Sequence, residues 1–346
     1  MKGRGGVASV VRGYSEYGIL KNLKIDYFPT HCDGKKRKKI VYYLRNVVNI
    51  LIKIRQYSIV HIHTASYWSY RRLFVVILIA KLFSKKIIIH IHGAKFEEYF
   101  NNSSFIGKKV IKIGFKTSDR VICLSPEWSR KISKFCSLNK IIIIPNCVSF
   151  ISINQVKQNN KKKLTTTKKL LFLGELGERK GVFDLLKAIK LLRLDPNKTK
   201  LFLCGNGDLI KIQNTILHLG LENVVQLLGW VQGDKKIELL RSAYLYVLPS
   251  HYEGLPMSIL EAMSYGIPIV STNVGGIPYA VESDKEGYLI DPGNPKELAN
   301  TINCLLEDEK TWEDMSLAAI KKIKLKFSMD TLHQNLKKIY EDLLNE

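Results

Sequence analysis

Short apolar runs alternate with longer stretches in which apolar positions recur every three or four residues. In the first half the runs are SIVHIHT (58–64), KIIIHIH (86–92), RVICLS (120–125) and KIIIIPN (140–146). Helical spacing fills the intervals at about 39–56, 67–83, 104–117 and 126–135. Ser125, Pro126 and Glu127 supply a hydroxyl cap, a first-turn proline and a first-turn acid, the usual start of a helix. Nearly unbroken Ile/Val runs predict strands covered on both faces, hence parallel sheets packed between helices. The polar, basic stretch 152–169 has no apolar periodicity and reads as a linker. The rhythm resumes at 170–175, 200–205, 224–229, 245–250, 268–272 and 287–291, with helices between, and is helical from 295 to the end. The pattern predicts two doubly wound α/β domains, 1–150 and 170–326, a linker at 151–169, and a C-terminal helix within 327–346.

Composition changes this picture little. A chain of 346 residues that is 46% hydrophobic and 25% charged has the material for two ordinary cores. Its six cysteines form no CxxC pair and no metal-spaced cluster, which argues against a disulfide framework and for a reducing compartment. Met1 leads into glycines rather than the apolar core of a secretory signal, so a cytoplasmic location is expected. The longest apolar run, Leu73 to Ala80, is far short of the roughly 20 residues that span a bilayer.

Charge changes it more. Of a net +23, residues 1–150 carry 28 Lys and Arg against 7 Asp and Glu, while 151–346 carry 26 against 24. An excess confined to one half points to an anionic partner for that half, a membrane surface or nucleic acid.

Four strand-to-helix turns of the second half hold the candidate chemistry, since open parallel sheets bind ligands at the carboxyl ends of their strands. In LGELGERKG (173–181), Arg179 and Lys180 stand at a helix mouth, where two cations suit a diphosphate. CGNGD (204–208) is by itself an ordinary βα turn. In PSHYEGLPMSILEAMSYGIPIV (249–270), Glu253 lies in the loop and Glu261 in the helix, where a carboxylate could accept both hydroxyls of a ribose. In TNVGGIPYAVES (272–283), Gly275 and Gly276 offer bare backbone N–H groups to a phosphate.

Each turn alone is weak. In this order and spacing, with Glu-x7-Glu inside EGLPMSILEAMSYGIPIVSTNVGGIPY, the run 170–291 resembles the retaining family 4 glycosyltransferases. The resemblance implies the α/β GT-B fold, two Rossmann-like domains facing a central cleft, with the C-terminal helix (about 329–344) packing back on the first domain. It implies a nucleotide-sugar donor, with Arg179 and Lys180 on the diphosphate and Glu261 on the ribose. Glu253 would contact the donor sugar, beside the backbone of Gly254, Leu255 and Pro256. Glu175 departs from the arginine common at that point of the family, and Cys147 from its usual glycine.

The first half is read in that light. His61 and His63, and His90 and His92, end strands in pairs that point one way. His61 and His90 read as buried or rim histidines, whereas the resemblance implies that His92 contacts the donor sugar, with Gly93 and Ala94 shaping its pocket. Zinc is not expected, because no third ligand is spaced sensibly. GRGGVASVV (3–11) is similar to the family's glycine-rich loop, which implies donor-side roles for Gly5 and Gly6. That loop normally follows a strand, which is missing here, so a gap that unpairs two neighbours in the first sheet is expected.

The expected reaction moves a sugar, with retention, from a nucleotide-diphosphate sugar to an acceptor hydroxyl. It needs no cofactor, since the donor is itself a substrate, and no metal is expected, since no DxD-type motif sits where one would be needed. The acceptor implied is a lipid-linked saccharide in cell-surface polysaccharide synthesis. The basic clusters at 34–39, 70–72 and 107–112 then read as a peripheral docking face for the inner leaflet, not for nucleic acid. The alternatives are a sugar-nucleotide epimerase of the same fold and, in a different class, a basic nucleic-acid-binding protein.

Overall fold

The computed structural model describes residues 6–346 apart from 33, 66, 94 and 95. The chain forms two compact units, residues 1–147 with 329–346, and residues 148–328.

The first unit opens with α1 (Gly6–Glu16), α2 (Ile19–Asn22) and α3 (Lys36–Lys53). It continues through β1 (Ile59–Thr64), α4 (Trp68–Leu82), β2 (Lys86–Ile91), α5 (Phe96–Asn101), α6 (Phe105–Thr117), β3 (Arg120–Cys123), α7 (Pro126–Ile132) and β4 (Ile141–Ile143). Ser125 caps α7 by accepting from the Trp128 N–H, as its sequence implies. The four strands are parallel in the order β1-β2-β3-β4. Ile87, Ile89 and Ile91 pack toward Tyr70, Leu73 and Ile77 of α4, so one face of the sheet is a dry aliphatic and aromatic core. The expected gap between two strands is absent among the described residues. β1 pairs directly with β2 over six residues, from Ile59–Lys86 to Thr64–Ile91, which leaves no room between them.

The second unit runs α8 (Ile153–Thr165), β5 (Lys168–Leu173), α9 (Val182–Leu192), β6 (Thr199–Cys204), α10 (Leu209–Leu219) and β7 (Val225–Gly229). After these come α11 (Gly233–Ser242), β8 (Leu245–Leu248), α12 (Met257–Met263), β9 (Ile269–Thr272), α13 (Ile277–Ala280), β10 (Gly287–Ile290), α14 (Pro295–Glu307) and α15 (Glu309–Lys326). The final helix, α16 (Met329–Asn345), groups with the first unit. Its Asp330 accepts from Tyr17 Oη, and its Tyr340 reaches His61.

The stretch read as a linker is instead largely the helix α8. Ser152 and Gln155 form a reciprocal capping box. The inner face of α8 is Val156, Asn160 and Lys163, one apolar and two polar residues, packed against α15. Asn160 donates to Ser316 at 2.8 Å, and the Lys163 ammonium lies over the Trp312 ring. Such a face carries no apolar signal that periodicity could detect. The unit boundary accordingly falls at 147/148 rather than 150.

The second sheet is parallel in the order β10-β9-β8-β5-β6-β7. Leu170, Leu171 and Phe172 are fully buried on both sides of β5, as their unbroken apolar run requires. The chain proceeds from β5 to β6 and β7 on one side, then returns to β8 on the other. β5 and β8 therefore flank the point where the direction of winding reverses.

Candidate active site

Loops leaving neighbouring strands at such a reversal splay apart and open a crevice. Here the loop after β5 carries Arg179 and Lys180 in a single 3-10 turn, and the loop after β8 carries Glu253. Gly181, at φ +69°, joins that turn to α9, and a Cβ there would lie 1.9 Å from the Pro249 carbonyl oxygen. The two loops are thus seated against each other, and only glycine permits the contact.

Glu253 is 8% exposed. Its Oε1 accepts from Lys180 Nζ and, at 2.8 Å, from Ser250 Oγ, with Arg179 Nη1 3.9 Å away. Arg179 is held by two further partners, Glu175 at 2.9 Å and the Tyr252 carbonyl at 3.2 Å. Glu175, which stands where relatives often have arginine, therefore orients the cation next door. Nearby, His251 meets Asp184 of α9 at 2.9 Å and its N–H donates to the Arg179 carbonyl. Gly254, Leu255 and Pro256 follow Glu253, and Pro256 occupies the cap position of α12. Sequence reasoning did not find Ser250, whose role appears only when the loop folds back by three residues.

Glu261 lies on α12 between Ile259, Leu260 and Ala262, Met263, all fully buried. Its Oε2 pairs with Lys236 of α11 at 2.7 Å, a partner 25 positions away that no local motif signals. Tyr246 on β8 is also buried, and its hydroxyl donates to the Leu173 carbonyl at 3.0 Å.

The expectation of bare amides at Gly275 and Gly276 is corrected in one part. The Gly276 N–H donates to the Gly254 carbonyl at 2.5 Å, and α13 is a single turn without the dipole of a longer helix. The glycines serve close approach. A Cβ on Gly275, at φ +58°, would sit 1.9 Å from the Glu253 carbonyl oxygen, and one on Gly276 2.4 Å from that of Gly254. They press the β9–α13 loop onto the backbone that presents Glu253.

In the first unit the four histidines share one face of the sheet, because His63 stands opposite His90 and alternate residues point the same way. His90 and His92 stack at 4.2 Å, His61 and His63 at 4.5 Å. His92 follows the last residue of β2, and its Nε2 meets His63 Nδ1 at 2.9 Å. Tyr14 of α1 lies edge-on to His63, and Tyr340 of α16 bonds His61 Nδ1 at 2.7 Å. The statement that no third ligand is suitably spaced does not hold. Ligand atoms of His61, His63 and His90 lie within 4.8 Å of one another, because the register joins two strands that sequence spacing keeps apart. Gly6 is the first residue of α1; Gly5 and Ala94 lie outside the described residues.

Burial holds the imidazoles in the neutral form, since a charge there would lose its hydration. It pushes His63 down to about 4 and holds His61, His90 and His92 well below the usual 6.5, the neighbouring rings adding to the effect. The folded chain then binds fewer protons than the unfolded chain between about pH 4 and 6.5. Stability from this cluster is complete above pH 6.5 and is lost as pH falls toward 4. Thermal unfolding followed across this range should show that fall, and His90→Leu should flatten it. An unchanged slope in the variant would exclude His90 from the cause.

The same chain matches known sequences across both units. The sequence model described as Glycosyl transferases group 1 matches residues 154–322, and that described as Glycosyltransferase Family 4 matches residues 10–150. An uncharacterized glycosyltransferase of Methanocaldococcus jannaschii is 31% identical over 175 residues, 50% of this chain but only 45% of that relative. The UDP-Gal:α-D-GlcNAc-diphosphoundecaprenol α-1,3-galactosyltransferase of Escherichia coli is 27% identical over 342 residues, covering 93% of this chain and 85% of the relative. The crystal structure of Anabaena HepE in complex with UDP superposes with a TM-score of 0.77 at 19% identity, over 99% of this chain and 98% of that one. The fold and the two family matches agree with the loops described above: the chain belongs to the family 4 glycosyltransferases, of GT-B fold.

Proposed function

We propose that this glycosyltransferase moves a sugar from a nucleotide-diphosphate sugar to a hydroxyl of a lipid-linked saccharide, with retention at the anomeric carbon and without a metal. The observation that carries the reading is Glu253, buried and bonded by Lys180 and Ser250 at the winding reversal of the second sheet. Lys180 has three N–H donors and spends one on Glu253. Its others, with the Arg179 guanidinium, suit the diphosphate, whose charge grows as the glycosidic bond breaks. Lys180, Ser250 and Arg179 all approach Glu253 through Oε1, and Oε2 is the oxygen we assign to the donor sugar's hydroxyls. Glu261 takes the ribose, and His92 keeps the contact with the donor sugar that the family resemblance implies. The stabilisation assigned to Gly276 passes to the two cations, because its N–H is already bonded.

The lipid-linked acceptor is supported by the Escherichia coli relative, whose name gives UDP-galactose as donor and a diphosphoundecaprenol-linked sugar as acceptor. A nucleotide-sugar donor is supported by HepE, crystallised with UDP and with UDP-glucose. A peripheral position at the cytoplasmic leaflet follows from such an acceptor, and no described helix is long and apolar enough to cross a membrane.

Thermal stabilisation by UDP-, GDP- and ADP-sugars should single out one donor class. That donor with a polyprenyl-diphosphate saccharide should give a product of unchanged anomeric configuration, formed equally in EDTA. Conversion of the donor without any acceptor would instead mark an epimerase.

A further inference from the structure

Among the described residues, the outer side of α3 has no partner. Ile40, Val41, Leu44, Val48, Leu51 and Ile52 are between 40% and 70% exposed. Val41, Leu44, Val48 and Ile52 follow one another at intervals of three or four residues, so they form one stripe along the helix. The inner side, at Asn46 and Ile50, is buried. A helix that is apolar on the outside as well as packed on the inside is unusual for a surface element, because that stripe remains in water.

The charges around the stripe are all of one sign. Lys35, Lys36, Arg37, Lys38, Lys39 and Arg45 accompany it, Lys53 ends it, and no Asp or Glu occurs anywhere from Gly34 to Phe96. α3 packs on α4 and α4 on α6, and these neighbours carry further exposed apolar side chains, Trp68 at 72%, Phe105 at 83% and Ile106 at 73%.

We infer that α3 lies in the headgroup region of an anionic phospholipid bilayer, with its apolar stripe immersed and its cations on the lipid phosphates. An interfacial helix needs both features, an apolar face and a basic flank. A nucleic acid would engage the cations and leave six apolar side chains in water. A second copy of the chain would cover the stripe but bring two clusters of like charge together. The bilayer satisfies both halves of the surface. The inference deepens the lipid-linked acceptor reading and rests on it for its purpose, since an acceptor held in the leaflet is reached by an enzyme seated there.

Flotation of the full chain with vesicles tests it, comparing pure phosphatidylcholine with a mixture containing about one third phosphatidylglycerol. Binding to the anionic vesicles alone is expected. V41Q/V48Q/I52Q and K36Q/R37Q/K38Q/K39Q should each weaken it by about tenfold or more, and the apolar variant's residual binding should vanish in high salt. Both variants should keep the thermal shift given by the donor sugar and transfer to a detergent-solubilised acceptor. Wild-type vesicle binding by V41Q/V48Q/I52Q overturns the inference. So does equal binding to DNA with none to lipid, or a wild-type dimer that this variant abolishes while vesicle binding is unaltered. Vesicle binding by a chain that neither binds nor transfers any donor sugar would leave the membrane helix standing and remove the transferase reading alone.

Discussion

Lys180→Ala is expected to lower kcat/KM for sugar transfer by about 10²–10³, the cost typical of losing one preorganised group that answers developing negative charge. The variant does two things at once. It removes a cation from the diphosphate site, and it leaves Glu253, 8% exposed, with only Ser250 and the more distant Arg179 as partners. An uncompensated buried carboxylate costs about 3–5 kcal/mol, so thermal stability should fall as well. The double variant Lys180→Met/Glu253→Gln separates the effects. It removes both charges together, so the unfolding temperature should recover most of the loss while transfer stays low. Recovery of transfer in the double variant would show that the pair serves the fold and not the reaction. Lys180→Arg should retain part of the donor-induced stabilisation, since the charge survives while the point geometry of the ammonium does not.

Gly275→Ala is expected to damage both stability and transfer. The residue stands at φ +58°, which for alanine costs about 1–2 kcal/mol before any contact is counted. Its Cβ would then lie 1.9 Å from the Glu253 carbonyl oxygen and 2.8 Å from the carbonyl carbon. Neither atom belongs to a flexible side chain, so one loop backbone has to move. The loop that moves presents Glu253, and a displacement of about 1 Å at a positioned group can cost about 10² in rate. Gly293→Ala is the control: φ is +79°, but the nearest atom to its Cβ is His251 Cε1 at 3.6 Å, an ordinary contact. It should show the backbone penalty alone, with transfer nearly unchanged. If both variants unfold and react alike, the close approach of the β9–α13 loop has no part in holding Glu253.

These two expectations rest on contacts of different visibility. Arg179, Lys180, Glu253, Gly275 and Gly276 were legible as candidates because each lies in a turn after a strand that announces itself as an apolar run, and Glu261 because it lies in the helix that follows such a turn. Their relations were not. Lys180 and Glu253 are 73 residues apart, and only the adjacency of β5 and β8 joins them. The sequence suggested phosphate-facing amides at the double glycine, whereas the fold spends the Gly276 amide on a neighbouring carbonyl.

The histidines give the same lesson in the first unit. Alternation along a strand placed each pair on one side, but the register of β1 on β2 decides that all four rings stack together under Tyr14 and Tyr340. Tyr340 is 279 residues from His61, too far for any pattern to connect.

By itself the sequence determined the two α/β halves, the strands to within three residues at either end, and the loops that carry the candidate chemistry. Burial on both faces forces a parallel strand to be apolar throughout, and that requirement is written locally. Tertiary structure decided that 153–165 is helical, with an inner face of one valine and two polar residues. It also fixed the contacts of α16 within the first unit, to Tyr17 and His61, and left the outer stripe of α3 exposed. Each of these depends on which surfaces meet, and the free energy of that meeting belongs to pairs of elements rather than to either segment alone.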